Sequence, residues 1–155
     1  MQRPLSFRLD DLSGEPTRAL IARHLAGMYA SSPACRVHAL DVDKLRRSDV
    51  TFWSAWLGDD IAGCGALKRM DDERGELKSM RVVDVFLGRG IGRAILAHLT
   101  AEAKKRGMTS LWLETGSGEA FVPALRLYES AGFVRCGPFE SYTADPFSVF
   151  MTREI

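Results

Sequence analysis

The sequence predicts a mixed α/β (α+β) fold, in which helices flank a mostly antiparallel central sheet of about seven strands. Three strand-like segments lie between residues 50 and 85 and are separated only by short turns rich in glycine and aspartate, which predicts an antiparallel meander. A glycine-rich turn, an amphipathic segment and another strand follow. Because parallel strands need a crossover connection, this order predicts a central parallel β-α-β unit.

The first strand and the first helix are indicated by their hydrophobic patterns. The segment SFRLDDL (residues 6–12) alternates apolar and polar side chains, which is typical of a half-buried strand. Residues 13–32 predict a helix, because Pro16 stands in the first turn and apolar residues recur on one face. A loop with Pro33 as its breaker and a short helix over residues 41–50 are expected next.

The three strands of the meander are predicted over residues 50–59, 61–70 and 76–85. The first two are joined through Gly58-Asp59-Asp60, a composition typical of a tight hairpin turn. The turn DDERG leads into the third strand. A helix is then predicted to begin after the glycines and to end at residues 104–107, where the cations of KKRG and Gly107 form a typical helix terminus.

The C-terminal third predicts strand, helix and two strands. TSLWLET (residues 109–115) is a short apolar strand segment. Residues 121–133 predict a helix with Pro123 near its start. Strands are expected over residues 133–139 and 148–155, and they complete the sheet.

The composition limits the classes of function. The chain has 155 residues, a length that suits one domain spanning residues 1–155. Lys and Arg number 21 against 20 Asp and Glu, a net charge of +1, so no overall attraction to nucleic acid or anionic lipid is expected. The apolar runs are far shorter than the about 20 residues of a membrane span, and the start MQRPLSFRLDD lacks the apolar stretch of a signal peptide. We therefore expect a cytoplasmic protein.

The cysteines predict no disulfide framework and no metal site. Cys35, Cys64 and Cys136 are odd in number and widely spaced, which fits neither paired cysteines nor a zinc site. We expect them to be small packing residues.

The stretch LGRGIGRAIL, residues 87–96, is the most informative motif. It sets Gly88, Gly90 and Gly92 between a predicted strand and a helix start. Unpaired backbone N–H groups and the positive end of the helix dipole there predict an anion site, with phosphate or pyrophosphate as its occupant. Arg89 and Arg93 are near enough in sequence to add charge-assisted contacts. A tight strand-to-helix turn without a ligand is the alternative.

Two common nucleotide-binding motifs fit this stretch poorly. The P-loop requires Gly-Lys-Ser/Thr, whereas Gly92 is followed by Arg93 and Ala94. The dinucleotide fingerprint requires a third Gly or Ala at a spacing that this stretch does not supply. Glu114 does stand where a ribose-binding acid is expected, so a nucleotide-binding protein stays open as an alternative function.

The motif resembles the phosphate signature of the GNAT superfamily of acetyl-CoA-dependent N-acetyltransferases. That signature is Arg or Gln, two residues, Gly, one residue, Gly or Ala, and LGRGIG supplies Gly90 and Gly92 in register. Leu87 occupies the Arg/Gln position, which removes one side chain from the expected grip on pyrophosphate. The segments GELKSMRV and ALRLYESAGF are similar to the family's fourth strand and to its tyrosine-bearing helix. The stretches CGPFESYTADPFSVFMT and VHALDVDKL are similar to a small bacterial branch of that family, whose substrates are mostly unassigned.

The resemblance implies a single GNAT domain and a set of residues that bind coenzyme A. Phe121 stands where the family often has Asn, which removes one expected hydrogen bond to the pantetheine arm. The expected cofactor-binding residues are Met80, Arg81, Val82, Leu87, Gly88, Arg89, Gly90, Ile91, Gly92, Arg93 and Phe121.

The resemblance also implies the catalytic roles. Glu76 lies where several members of the family carry the general base, and Tyr128 corresponds to the tyrosine that protonates the departing thiolate. A backbone N–H near Met80 to Val82 is expected to polarise the thioester carbonyl. The alternatives are an ion pair of Glu76 with Lys78 or Arg81, and a packing role for Tyr128 on an apolar helical face.

The acceptor site is predicted less closely. His38, Glu114 and Tyr142 are the candidate substrate-binding residues, whereas His24, within a helical apolar pattern, is expected to be a structural histidine with satisfied hydrogen bonds. The predicted function is direct transfer of an acetyl group from acetyl-CoA to a primary amine of a small molecule. An acyl-CoA sensor without turnover is the alternative, and a homodimer is the default expectation for the oligomeric state.

Overall fold

The computed structural model describes residues 4–31 and 45–155, which form a mixed seven-stranded sheet flanked by helices. The strands are β1 (Leu5–Leu9), β2 (Val50–Leu57), β3 (Asp60–Arg69), β4 (Arg74–Val82), β5 (Ser110–Gly116), β6 (Val134–Cys136) and β7 (Ser148–Glu154). The α-helices are α1 (Glu15–Ser31), α2 (Ile91–Lys105) and α3 (Val122–Ser130). Single 3₁₀ turns precede the last two helices, at Asp84–Phe86 and Glu119–Phe121.

The strand order is β1-β2-β3-β4-β5-β7-β6. Only the pair β4–β5 is parallel, and α2 forms the crossover between these two strands. The predicted meander, the central β-α-β unit and the fold class are therefore confirmed. Strand β7 enters between β5 and β6, so the last strand of the chain is internal and β6 is the edge.

Three predicted strand ends are wrong. Strand β1 stops at Leu9 instead of residue 12, because the chain then turns: the Leu12 N–H donates to Asp10 Oδ1 at 2.8 Å and Leu12 has a φ of 66°. Strand β4 stops at Val82 because the Phe86 N–H donates to the Val83 carbonyl at 2.9 Å and closes a 3₁₀ turn. Strand β6 has three residues, since Pro138 lacks the N–H that a longer ladder would need.

The predicted loop around Pro33 and residues 41–44 of the predicted helix lie outside the described residues. Residues 46–49 form a turn and Val50 begins β2, so the helix predicted over residues 41–50 does not reach residue 50.

Strands β4 and β5 pair over only three residues and then separate. The parallel register runs from Arg74 opposite Ser110 to Glu76 opposite Trp112. A β-bulge then sets two residues of β4, Ser79 and Met80, against Gly65 of β3. Beyond the bulge β4 stays on β3, while β5 continues along β7 to Gly116. The separation opens a cleft in the middle of the sheet.

Two apolar clusters hold the sheet on opposite faces. The larger packs α2 and α3 against the sheet through buried residues such as Ile95, Leu99 and Leu125. The smaller lies under α1 and includes Leu20, Ile21 and Cys64. Within the described ranges no helix is long and apolar enough to cross a membrane.

Candidate active site

A cavity of about 650 Å³ occupies the cleft where β4 and β5 separate. Its lining runs from the glycine turn before α2, past the bulge of β4 and the inner side of α3, to Lys78, Glu114 and Tyr142. His24 of α1 also lines it. The cavity is therefore bounded on both faces of the sheet and joins the predicted phosphate site to ionisable side chains.

The glycine turn forms an open cradle at the N-terminus of α2. Gly90 is the N-cap with φ near 80°. Among the described residues no side chain caps this helix, and a Cβ at Gly88 or Gly90 would meet nothing within 4 Å. The Ala94 N–H donates to the Gly90 carbonyl at 3.0 Å. The backbone N–H groups of the residues before Ala94 belong to the first turn, where an α-helix supplies no acceptor for them. Gly92 has a packing role, since a Cβ there would come 3.3 Å from Leu127.

The side chains around the cradle are mostly exposed. Leu87 is 61% exposed and presents no hydrogen-bonding group. The Arg89 guanidinium lies 5.5 Å from the centre of the Phe86 ring, and Arg93 donates to the Ser130 hydroxyl at 3.3 Å. Both arginines can therefore rearrange toward an anion at little cost.

Phe121 closes one wall of the cavity by packing on β5. A Cβ at Gly116 would overlap the Phe121 ring, so the glycine makes room for the aromatic side chain. The ring offers only apolar contact to a ligand.

Tyr128 lies on α3 and its side chain lines the cavity. Its Oη lies 3.8 Å from the Met80 sulfur, and its ring meets the Phe133 ring edge to face at 5.8 Å between centroids. Burial raises the pKa of Tyr128 to about 12. The hydroxyl therefore keeps its proton at neutral pH, beside the bulge that forms the other wall.

A compact hydrogen-bonded group beside the cavity is formed by Glu76, Lys78 and Tyr142. The Lys78 ammonium donates to Glu76 Oε2 at 3.0 Å and to Tyr142 Oη at 2.7 Å, and the Tyr142 hydroxyl donates to the same Glu76 oxygen at 2.7 Å. Burial and the Glu76 charge raise the pKa of Tyr142. Lys78 and Tyr142 line the cavity, whereas Glu76 does not.

Glu114 lies on β5, two residues beyond Trp112, where the pairing of β4 with β5 ends, and its carboxyl group lines the cavity. Burial raises the pKa of Glu114 from 4.5 to about 7, and the nearby charges of Glu76 and Asp145 act in the same direction. A hydrogen bond with Ser148 and the charge of Lys78 oppose the rise. A carboxyl with a pKa near neutrality can both take up and release a proton at physiological pH.

The structure brings most of the predicted site residues to this one cavity. Those of the predicted cofactor set that line it are Met80, Arg81, Val82, Leu87, Gly88, Gly90, Ile91, Gly92, Arg93 and Phe121. Tyr128, Glu114 and Tyr142 also line it, whereas Arg89 does not. His38 lies outside the described residues.

The residues that line the cavity but are not predicted from the sequence as part of the site include Lys78, Ser79 and His24. The sequence indicates Lys78 only as a partner of Glu76, although residues two apart on a strand share a face. Ser79 carries no sequence signal, because its place depends on the bulge. The expectation that His24 has satisfied hydrogen bonds is wrong, since its Nδ1 is buried without a partner among the described residues and its side chain lines the cavity.

Comparison with known proteins gives concordant similarities. The model of the acetyltransferase (GNAT) family matches residues 18–133. The chain is 48% identical to the uncharacterized N-acetyltransferase YsnE of Bacillus subtilis, over 97% of this chain and 100% of that protein. It is 46% identical to the uncharacterized N-acetyltransferase YedL of Escherichia coli, over 95% and 92% of the two chains. A crystal structure of a candidate acyl-CoA N-acyltransferase from Klebsiella pneumoniae has a TM-score of 0.78 at 25% identity, over 97% of both chains.

Proposed function

Because the chain belongs to the GNAT family of acetyltransferases, whose acetyl donor is acetyl-CoA, we propose that it moves the acetyl group directly to a primary amine of a small molecule. Membership of the family confirms the resemblance of LGRGIG and ALRLYESAGF, together with the enzyme class and the cofactor that this resemblance implies. The observation that carries the proposal is one cavity that joins an uncapped glycine cradle, the protonated Tyr128 and a carboxyl of near-neutral pKa.

The cavity suits coenzyme A. The cradle at Gly88 and Gly90 has open space where a side chain would stand, and it presents N–H groups to an anion. Arg93 adds a guanidinium, and the unpaired edge of β4 beyond Glu76 offers backbone groups to the pantetheine arm. When bound, acetyl-CoA supplies an acyl thioester, which an amine can attack.

We assign the role of proton acceptor to Glu114. It faces the cavity, and its pKa of about 7 suits a base that works near neutral pH. Glu76 is 2% exposed, holds the Lys78 ammonium and does not line the cavity, so an amine would have to reach it through Tyr142 or water. The general-base role of Glu76 stays a prediction, and the geometry favours Glu114.

Tyr128 is the proposed proton donor. Burial raises the pKa of Tyr128 to about 12, so the proton is on Oη when the substrate binds. The same poorly hydrated surroundings make the departing thiolate more basic than it is in water, so the Oη proton can pass to the sulfur as the C–S bond breaks. Within the described part of the chain, the Tyr128 hydroxyl donates to the Met80 sulfur at 3.8 Å. Because a thioether is a weak acceptor, little competes with the thiolate for this proton.

Direct transfer needs no acylated side chain. The buried Cys64 thiol does not line the cavity, and burial raises its pKa to about 12, so it is a poor nucleophile. Intact-mass spectrometry after incubation with acetyl-CoA alone should show no acetylated protein. An acetyl adduct that disappears on addition of an amine would contradict direct transfer.

Release of free thiol across a panel of primary amines tests the proposal, with mass spectrometry of the products. We expect release that depends on the amine, and an acetyl group on its nitrogen. Binding of CoA without release of thiol by any amine would support a sensor instead. Thiol release that leaves every amine unmodified would indicate hydrolysis. The action on a small molecule, the cytoplasmic location, the single domain and the homodimer stay predictions.

A further inference from the structure

Two buried polar atoms of residues that line the cavity have no role in the mechanism above. His24 Nδ1 and Ser79 Oγ are shielded from solvent and have no hydrogen-bond partner among the residues that the structure describes. Both residues line the same cavity. Because buried polar groups in folded proteins are nearly always hydrogen-bonded, two such atoms on one cavity indicate that a polar ligand group satisfies them.

The backbone at Ser79 is held in an unusual conformation at this point. Its φ is 54°, in the left-handed region, although it is not glycine, and it lies in the bulge of β4 opposite Gly65. Bulges redirect side chains and are frequent beside functional sites, and such a conformation persists only where the surrounding structure enforces it. Ser79 is therefore fixed in place before a ligand binds.

The charge beside these two atoms is positive. Arg81 and Asp84 both line the cavity, and Arg81 donates to Asp84 Oδ1 at 3.2 Å, while the other oxygen of Asp84 lies 3.9 Å from Arg23, which does not line it. One carboxylate thus faces two guanidinium groups, which leaves one positive charge in excess. Burial and the charge of Arg81 lower the pKa of His24 to about 4, so the imidazole is neutral and can donate one hydrogen bond.

We propose that His24, Ser79 and Arg81 bind a carboxylate of the acceptor, so that the substrate is an amine that also carries a carboxylate, as an amino acid does. The proposal rests on the proposed function, because it places the amine at Glu114 and the carboxylate at Arg81. Glu114 is near enough to Lys78 for the Lys78 charge to lower its pKa. Arg81 is three residues beyond Lys78 on β4, which is at most about 10 Å along an extended strand. Amino acids with the amine on the α-carbon and amino acids with longer separations are therefore both within the class.

Matched substrates test the inference in the assay for released thiol. Each amino acid is compared with its amide and with the amine left after removal of its carboxylate. The amide has a less basic amine and the decarboxylated compound a more basic one, so the two controls bracket the effect of amine basicity. We expect kcat/KM to be about tenfold or more higher for the carboxylate form of the preferred substrate. Equal values, or a preference for both partners that lack the carboxylate, would overturn the inference.

Variants of Arg81 and Ser79 test whether these residues cause the preference for substrates that carry a carboxylate. Arg81→Gln and Ser79→Ala should each reduce the ratio of kcat/KM between the carboxylate form and its decarboxylated partner. Arg23→Gln is the comparison variant: it removes one nearby positive charge but no group that lines the cavity, so the ratio should fall less than in Arg81→Gln. An unchanged ratio in Arg81→Gln and Ser79→Ala would overturn the assignment, and so would an equal fall in Arg23→Gln.

Binding measured without turnover separates this inference from the proposed function. NMR of the CoA-loaded protein follows the imidazole resonances of His24 as amino acids or their decarboxylated partners are added. Shifts with the amino acids alone would support the carboxylate subsite even if no amine were acetylated. No shift, or the same shift with both series, would contradict it even if acetyl transfer were found.

Discussion

The Lys78 ammonium lies 3.0 Å from Oε2 of Glu76, and the two side chains are only 8% and 2% exposed. Tyr142 completes the group with 2.7 Å hydrogen bonds to both. A buried charge is costly without its counter-ion, so Glu76 and Lys78 stabilise each other. Glu114 consequently faces a compensated pair instead of an isolated ammonium, which allows burial to dominate its pKa.

Replacement of Glu76 distinguishes a counter-ion from a general base. Glu76→Gln keeps the size and an acceptor oxygen but leaves the Lys78 charge uncompensated, so the pKa of Glu114 should fall. The acidic limb of the pH profile of kcat/KM should move to lower pH, and the free energy of unfolding should decrease by about 3–5 kcal/mol. Complete loss of the limb, instead of its displacement, would show that Glu76 itself accepts the proton.

Glu114→Gln should remove the proton acceptor. Turnover is expected to fall about 10²- to 10⁴-fold, and the rise in activity through about pH 7, where Glu114 ionises, should disappear. Glu129→Gln is a matched control, since Glu129 is an exposed carboxyl on α3 that does not line the cavity. Retention of the acidic limb in Glu114→Gln would assign the base elsewhere.

Glu114 should also make stability depend on pH. Its pKa rises from 4.5 to about 7 on folding, so between these values the folded protein binds more protons than the unfolded chain. Its contribution to the free energy of unfolding therefore decreases as pH rises through this window, by about 1–3 kcal/mol in total. Urea denaturation from pH 5 to 8 should give a smaller decrease for Glu114→Gln than for the wild type. Parallel curves would show that Glu114 ionises normally in the folded protein.

Tyr128→Phe removes the proposed proton donor and keeps the aromatic ring. The hydroxyl contributes a weak hydrogen bond to the Met80 sulfur at 3.8 Å, so the affinity for CoA and the thermal stability should change little without it. Turnover should fall by about 10²-fold or more. Calorimetric titration with CoA and steady-state kinetics separate the two effects, and an unchanged kcat would leave Tyr128 with a packing role.

The order of the elements and the phosphate site could be predicted because they depend on local signals. Alternating strands, glycine turns and the apolar stripe of α2 are all contained in short windows of sequence. The cradle at Gly88 and Gly90 could be predicted for the same reason, and both glycines have positive φ. Such features are set by the residues themselves and by their immediate neighbours.

The arrangement of Ser79, Glu76 and Tyr142 could not be predicted from the sequence, because segments that are distant in the chain build it. The bulge that fixes Ser79 requires Gly65 on the neighbouring strand. Tyr142 reaches Glu76 because the loop before β7 is held on the sheet by Phe139, whose ring contacts those of Trp112 and Phe150. No spacing rule connects residues 66 positions apart, so the Glu76–Lys78–Tyr142 group could be found only in the structure.

The cradle at the start of α2 is the feature on which acetyl transfer in this cavity depends, and calorimetric titration with CoA tests it directly. Gly90→Ala places a methyl group in the open cradle, and Gly107→Ala is its matched control. Both glycines have φ near 80° and nothing within 4 Å of a Cβ, but Gly107 follows the other end of the same helix. Both variants should lose about 1 kcal/mol of stability from backbone strain.

Only Gly90→Ala should weaken CoA binding, by about tenfold or more, because the added methyl keeps the diphosphate away from the N–H groups. Wild-type affinity in Gly90→Ala, or a wild-type protein that binds no CoA, would contradict the account.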